Sequence, residues 1–335
     1  VQRAWVARSD IQGMTHKTLC VEMKQPTAVL STLEGYKTGV WRVANHYVPY
    51  GAWKTLAMQS VPQLMDTFWR SLGFQTADGA MLITGADMDN LALKRASSDG
   101  IEVVALVTAG VRGNAMRAGF DQGKHQEPGT INAIILTNRK LSPRAMTRAM
   151  IGVTEAKTAA LQDLDVRSRY QPRKYQATGT GTDNLIIVQG EGTPARLSGG
   201  QSKLGELMAK AMYAGVKEAI ARQNRLLAGR DVLDRLKERG LSLASLSAGD
   251  PAGAARLELI AARPYFTSFL EQALALDDAR NRGLLQDLIA WRDQCVATAA
   301  RCSAKTPPNL DQAQGPLAMA LAVLSSCGKG SAATK

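Results

Sequence analysis

Apolar and polar positions alternate in two distinct periods along this chain. Ala80–Thr84, Ile101–Thr108 and Ile131–Thr137 are short, β-branched apolar runs closed by Gly, Asn or Asp. Leu185–Val188 is a fourth such run. Runs of this length and composition predict buried strands. Before them, Thr18–Met23, Ala28–Leu33 and Thr38–Ala44 are broken by Pro26, Glu34-Gly35 and Pro49, which predicts a meander. The helical period takes over at Val61–Leu72, again from Ser142-Pro143 to about Leu164, and again from Ser202 to about Leu227. Ser as N-cap with Pro in the first turn is a helix start. Strands and helices interspersed in this way predict an α+β fold, a mixed sheet layered with helices.

Beyond Gly229 the pattern changes. Residues 230–327 are rich in Ala, Leu and Arg and poor in β-branched residues. Asp231–Arg239, Ala254–Arg263, Tyr265–Leu276, Asp278–Arg301 and Pro316–Ser326 suit helices separated by Gly240, Gly249-Asp250-Pro251 and Thr306-Pro307-Pro308. Four regions follow: an N-terminal extension at 1–16, with Met14 as a candidate natural start; a sheet-bearing domain at 17–228; a small all-α domain at 229–327; and a disordered tail at 328–335.

Composition narrows the classes. An apolar fraction of 45% and a charged fraction of 21% are those of a globular protein. No apolar run is long enough to span a bilayer, and no leader pattern opens the chain. The net charge of +12 is concentrated in residues 1–225, with 28 basic and 18 acidic side chains. The basic residues are scattered, so a solvated surface is favoured over a nucleic-acid footprint. The four cysteines, at 20, 295, 302 and 327, form no C-x-x-C pair. They predict reduced thiols in a cytoplasmic protein. Cys295 and Cys302 lie about 10 Å apart by helical rise, too far to bridge each other; either could pair with Cys327. Phosphate-loop, nucleophile-elbow and H-E-x-x-H patterns are missing.

Four segments carry chemistry. Between Ala149 and Gln162 the helix bears only Glu155 and Lys157 as charges, on a surface that is apolar nearly all round. Buried charges need partners or a task. Thr178-Gly-Thr-Gly-Thr-Asp183 interleaves glycines, which let a backbone approach a ligand, with three hydroxyls and a carboxylate. Glu127-Pro-Gly-Thr-Ile-Asn132 places a carboxylate before a buried strand and an amide inside it, and Thr108–Asn114 ends another strand in small residues. Ordinary turn chemistry accounts for the last two about as well as a site does. Asp87 and Asp89 are a weak cation signal, and His46 is the histidine best placed to act.

Taken in order, these segments resemble one family. Leu30–Gly35, Asn45–Val48, Thr84–Asn90, Val107–Val111 with Asn114–Arg117, Pro128–Asn132, Thr154–Leu164 and Ala177–Asn184 look like those of the adenosylcobinamide amidohydrolases. The resemblance runs from about Lys17 to Asn224. It implies hydrolysis of the aminopropanol amide of adenosylcobinamide, leaving adenosylcobyric acid, in corrinoid salvage. Gln201 departs from the pattern, where His is expected.

Amide hydrolysis needs a nucleophile, stabilisation of the oxyanion and a proton for the amine. Glu127 or Asp183 is expected to activate a water or a threonine hydroxyl. The loop carrying Thr178, Gly179, Thr180, Gly181 and Thr182 is expected to supply backbone donors to the oxyanion, with Glu155 and Lys157 positioning these groups or protonating the amine. Asn45, His46, Asn114, Asn132 and Gln162, with Thr178, Gly179 and Gly181 of the loop, are assigned to substrate. The cobalt corrinoid is substrate, and no cofactor is expected; a divalent ion held by His46, Asp87, Asp89 or Glu127 is the second version. A non-catalytic corrinoid carrier or sensor, meeting a protein partner or a second copy through the helical domain, is the alternative. No nucleic-acid partner is expected.

Overall fold

The computed structural model describes residues 1–56, 59–122, 128–247, 250–302 and 307–330. It divides into two units, one of residues 1–170 and 176–228, the other of 171–175 and 229–335.

The first unit opens with β1 (Arg3–Ile11), β2 (Met14–Ser31) and β3 (Gly35–Tyr47), then α1 (Tyr50–Leu56) and α2 (Val61–Ser71). Next come β4 (Gly79–Thr84), β5 (Ala92–Ser98), β6 (Ile101–Ala109), β7 (Ala115–Met116), β8 (Ile131–Thr137) and β9 (Arg139–Lys140). It closes with α3 (Pro143–Asp163), β10 (Gly179–Thr180), β11 (Asn184–Val188), β12 (Gly192–Pro194) and α4 (Lys203–Asn224). The main sheet runs β4-β3-β2-β11-β8-β6-β5, with β1 added to β2. β3/β4 and β8/β11 are parallel and the other pairs antiparallel, so the expected mixed sheet is present.

Strand alternation sorts the side chains into layers. From β8, Ile131, Ala133 and Ile135 join the cluster under α3 and α4, while Ile134 and Leu136 face Leu19, Val43 and Leu82 of β2, β3 and β4. Ala44 and Met81, one register away, face α1 and α2 through Phe68 and Trp69. The sheet is therefore folded over itself, with helices on each outer face: α3/α4, sheet, sheet, α1/α2. Burying a side chain such as Phe68 or Leu82 stabilises this by about 1.5–3 kcal/mol each. Gly79 lets α2 come close; a Cβ there would sit 2.3 Å from the Trp69 ring.

Several expectations change. Residues 3–11, set apart as an extension, pair with β2 over their whole length, from Arg3 opposite Glu22 to Ile11 opposite Met14. Gln12 and Gly13 both have positive φ, as a two-residue hairpin turn requires. Pro26 does not end β2: the register with β3 shifts between Glu22 and Thr27, and a bulge tolerates the missing N–H. Of the three predicted helices in this unit, α2 and α3 lie where the capping residues put them. α4 stops at Asn224, because Arg225 takes a left-handed cap conformation. α1 and β5 carried no clear period and were not expected.

The second unit is all-helical: α5 (Val232–Glu238), α6 (Leu243–Leu246), α7 (Pro251–Ala261), α8 (Pro264–Asn281), α9 (Ile289–Arg301) and α10 (Pro316–Gly330). Asp278–Arg301 is not one helix. Gly283, at φ 74°, ends α8, and α9 restarts at Ile289. Phe269 and Trp291 stack at its centre, 5.0 Å between rings. Cys302 and Cys327 form a disulfide, with Cα atoms 5.5 Å apart. The expectation of wholly reduced thiols is thereby corrected; only Cys20 and Cys295 are free. Gly328–Gly330, placed in a disordered tail, continue α10, and residues 331–335 lie outside the described residues.

Candidate active site at the start of the eighth strand

The chemistry-bearing segments meet where β8 begins. Asp183 precedes β11, which pairs with β8 in parallel, so its carboxylate reaches the neighbouring strand. Oδ1 accepts the Ile131 N–H at 3.0 Å and the Thr180 hydroxyl at 2.5 Å. Oδ2 accepts the Thr180 N–H at 3.0 Å and the Lys157 ammonium. A carboxylate offers about four acceptor positions, and all four are occupied. Asp183 thus has no vacancy for the proton of an attacking group. It clamps α3, the glycine loop and β8 together, and the expectation that it activates the nucleophile is not what this geometry provides.

Gly179 makes the clamp possible. A Cβ there would lie 2.5 Å from Asp183 Oδ2 and 2.7 Å from Lys157 Nζ. Thr158 Oγ1 donates to Thr178 O at 2.9 Å and ties the loop to α3 from the other side. The loop amides turn inward: Thr178 N–H to Met116 O, Thr180 N–H to Asp183, Gly181 N–H to Asn114 O. They do not form the outward cradle for an oxyanion that the glycines suggest.

Below the loop, hydroxyls and amides interlock with β8. Thr130 is buried, and its Oγ1 donates to Thr182 O at 2.5 Å. Thr182 Oγ1 returns a bond to Gly129 O at 3.1 Å, and Asn114 Nδ2 approaches the same oxygen at 3.4 Å. Gly181 is packed on the Asn114 amide, 3.1 Å from where its Cβ would be. Deeper between the sheet layers, Asn132 Nδ2 donates to Asn45 Oδ1 and Ile83 O, and Asn45 Nδ2 to Thr108 Oγ1, each at 2.9 Å. These bonds build Asn45 and Asn132 into the joint between the layers.

Other expected residues lie elsewhere. Glu155 is exposed on α3, two positions from Lys157 and so on another face; the two form no network. Gln162 is exposed at the end of the helix. His46 points to the opposite side of β3 from Asn45. It stacks on Phe68 at 3.7 Å and bonds to Thr18 Oγ1 and His16 Nδ1. Burial, then the neighbouring His16, pushes its pKa well below the usual 6.5. Asp87 and Asp89 both hold Lys17. His46 and these carboxylates therefore do not converge on one point, and among the described residues no group of three His, Cys, Asp or Glu could hold a metal ion. Glu127 lies outside the described residues. The sequence singles out Thr130 only as a member of the Glu127–Asn132 segment; a hydroxyl directly after Gly at the first turn into a buried strand is the available signal.

A model of the adenosylcobinamide amidohydrolase family matches residues 3–228, nearly the whole of the layered unit. The chain belongs to that family. It is accordingly a hydrolase acting on amides. An uncharacterized protein of Methanocaldococcus jannaschii is 39% identical over 237 residues, 65% of this chain and 91% of that protein. Among solved structures, the PH0078 protein of Pyrococcus horikoshii aligns with TM-score 0.32 and 11% identity, over 64% of this chain and 78% of that one. A Burkholderia beta-aminopeptidase aligns with TM-score 0.31 and 14% identity, over 67% and 86%. No helix among the described residues is long and apolar enough to cross a membrane.

Proposed function

We propose that this protein hydrolyses the aminopropanol amide of adenosylcobinamide to adenosylcobyric acid and aminopropanol. The observation that carries this reading is the coincidence of the family match with the hydroxyl, amide and ammonium cluster at the start of β8. Lys157 spends one N–H on Asp183 and has two further donors. In this reading they face the substrate carbonyl and stabilise the oxyanion. Thr130 supplies the attacking oxygen. Its C–O bond to the corrinoid carbonyl forms as the amide C–N bond breaks, and the hydroxyl proton ends on the departing amine. Water then hydrolyses the ester. Asp183 and Thr180 position Lys157 and β8; Asn114 and Thr182 position Gly129 and Thr130. The amide-rich corrin rim meets the exposed tip of the loop at Gly181 and Thr182.

The test is incubation with adenosylcobinamide, followed by mass spectrometry for both products. Thr130→Val should abolish turnover while binding persists, and Thr130→Ser should retain part of it. Substrate bound but returned intact by the unaltered protein would favour a corrinoid carrier. Full activity in Thr130→Val would remove Thr130 from the chemistry.

A further inference from the structure

Gln201, the departure from the family pattern, lines a cavity at the other end of α3. Ser198 Oγ bonds to Ala145 O, which fixes this neighbourhood on the first turn of α3. Ala145 and Lys157 are about 18 Å apart by helical rise, so the cavity is separate from the cluster at β8.

The cavity holds about 520 Å³ and is bordered by Arg144, Arg148 and Arg196. No Asp or Glu lines it. None of the three guanidinium groups has an ion pair or hydrogen bond among the described residues, whereas Arg42, Lys94, Lys157 and Lys203 in the same unit all hold carboxylates. Three like charges around one concavity, with no counter-charge, concentrate a positive field there. The backbone adds to it. α3 and α4, of 21 and 22 residues, both begin at this cavity, through their N-caps Ser142 and Ser202. Those hydroxyls take the Ala145 and Gly205 amides, and the amides of Arg144, Lys203 and Leu204 have no partner among the described residues. Both helix dipoles therefore present their positive ends to the same space. The one acid in either first turn, Glu206, is held by Lys203 and Lys210.

We propose that this cavity binds a phosphorylated small molecule of the diphosphate class. Guanidinium groups match phosphate oxygens in pairs, and three of them match the charge of a diphosphate better than that of one phosphate. The volume exceeds what a single phosphate fills. Leu197, 70% exposed on the rim, offers an apolar shelf for the remainder of the molecule. Gln201, in place of an imidazole, adds an amide donor with no titrating charge.

The test is calorimetric titration of the full chain at constant ionic strength with pyrophosphate, ADP and sulfate. Pyrophosphate or ADP should bind about tenfold or more tightly than sulfate. Arg148→Ala and Arg196→Ala should each weaken that binding by about tenfold, with Arg148→Lys recovering only part. Both arginines are exposed, so the variants should fold, as circular dichroism would confirm. Amide hydrolysis by the variants should be unchanged, which keeps this result independent of the reaction at β8. Sulfate binding as tightly as pyrophosphate, no binding of either phosphate compound, or undiminished binding by both alanine variants would each overturn the proposal.

Discussion

At the scale of single residues, the site depends on a missing Cβ and a saturated carboxylate. Gly179→Ala would drive a methyl into the Lys157–Asp183 contact. The pair must separate or the loop must move, at a cost of about 1–3 kcal/mol. On the proposed mechanism turnover should fall far more than stability does, because the ammonium would leave the reacting carbonyl. Steady-state kinetics beside a thermal melt checks this; a normal kcat would show that Lys157 is not needed where it stands. The buried imidazoles give a second prediction. Burial lowers the pKa of both His16 and His46, and His16 Nε2 has no partner. Above the ordinary value of 6.5 both rings are neutral whether folded or not. Below it the unfolded chain takes up protons that the folded one resists, so stability falls as pH drops towards the lowered folded values. Tm should decline between about pH 7 and 5, where ordinary carboxylates remain ionised. The decline should be shallower in His46→Asn, and equal slopes would count against the imidazoles.

At the scale of elements, the close packing of α4 on β6 rests on Gly215. A Cβ there would sit 2.7 Å from Val107 Cγ2, so Gly215→Ala should destabilise the layered unit by about 1–3 kcal/mol despite its better helix propensity. Urea unfolding measures it, and a gain in stability would mean that the helix can lift without loss. The same scale shows what could be read from the chain. The apolar runs at 80–84, 101–108, 131–137 and 185–188 and the capped helices α2 and α3 declared themselves, because burial and capping act locally. β1 and β5 did not: their exposed faces dilute the alternation, and only the partner strand makes them strands. The motif segments at Asn114, Pro128–Asn132, Lys157 and Thr178–Asp183 were recognisable, and they do gather. Glu155 and Lys157 read alike in sequence and differ only in which side of α3 they occupy. That His46 and Asn45 face opposite layers needed the pairing register, which no local pattern encodes.

At the scale of the whole molecule, two units with different cores share one chain. The family match ends at residue 228, and the relative from Methanocaldococcus jannaschii aligns over 91% of its length with only 65% of this chain. The helical unit is held by its own apolar cluster and by the Cys302–Cys327 bond, 25 residues apart in sequence. Closing a loop of that length stabilises the folded state by about 3.5 kcal/mol on chain entropy. Reduction, or Cys302→Ser, should lower the melting of the helical unit and leave hydrolysis intact, which calorimetry with an activity assay can follow. Loss of turnover on reduction would instead tie the helical unit to the reaction.

The bonds that build the site also set when it can exist. Asp183 reaches Ile131 across 52 residues, Thr130 reaches Thr182 across the same interval, and Asn132 reaches Asn45 across 87. None of these contacts can form inside a local segment. Each requires distant stretches of chain to close the loops between them, and chains rich in such non-local contacts fold slowly as a class. The candidate site therefore exists only when the long-range pairings of the layered unit are made, so on the proposed mechanism activity reports that whole unit and not a fragment of it.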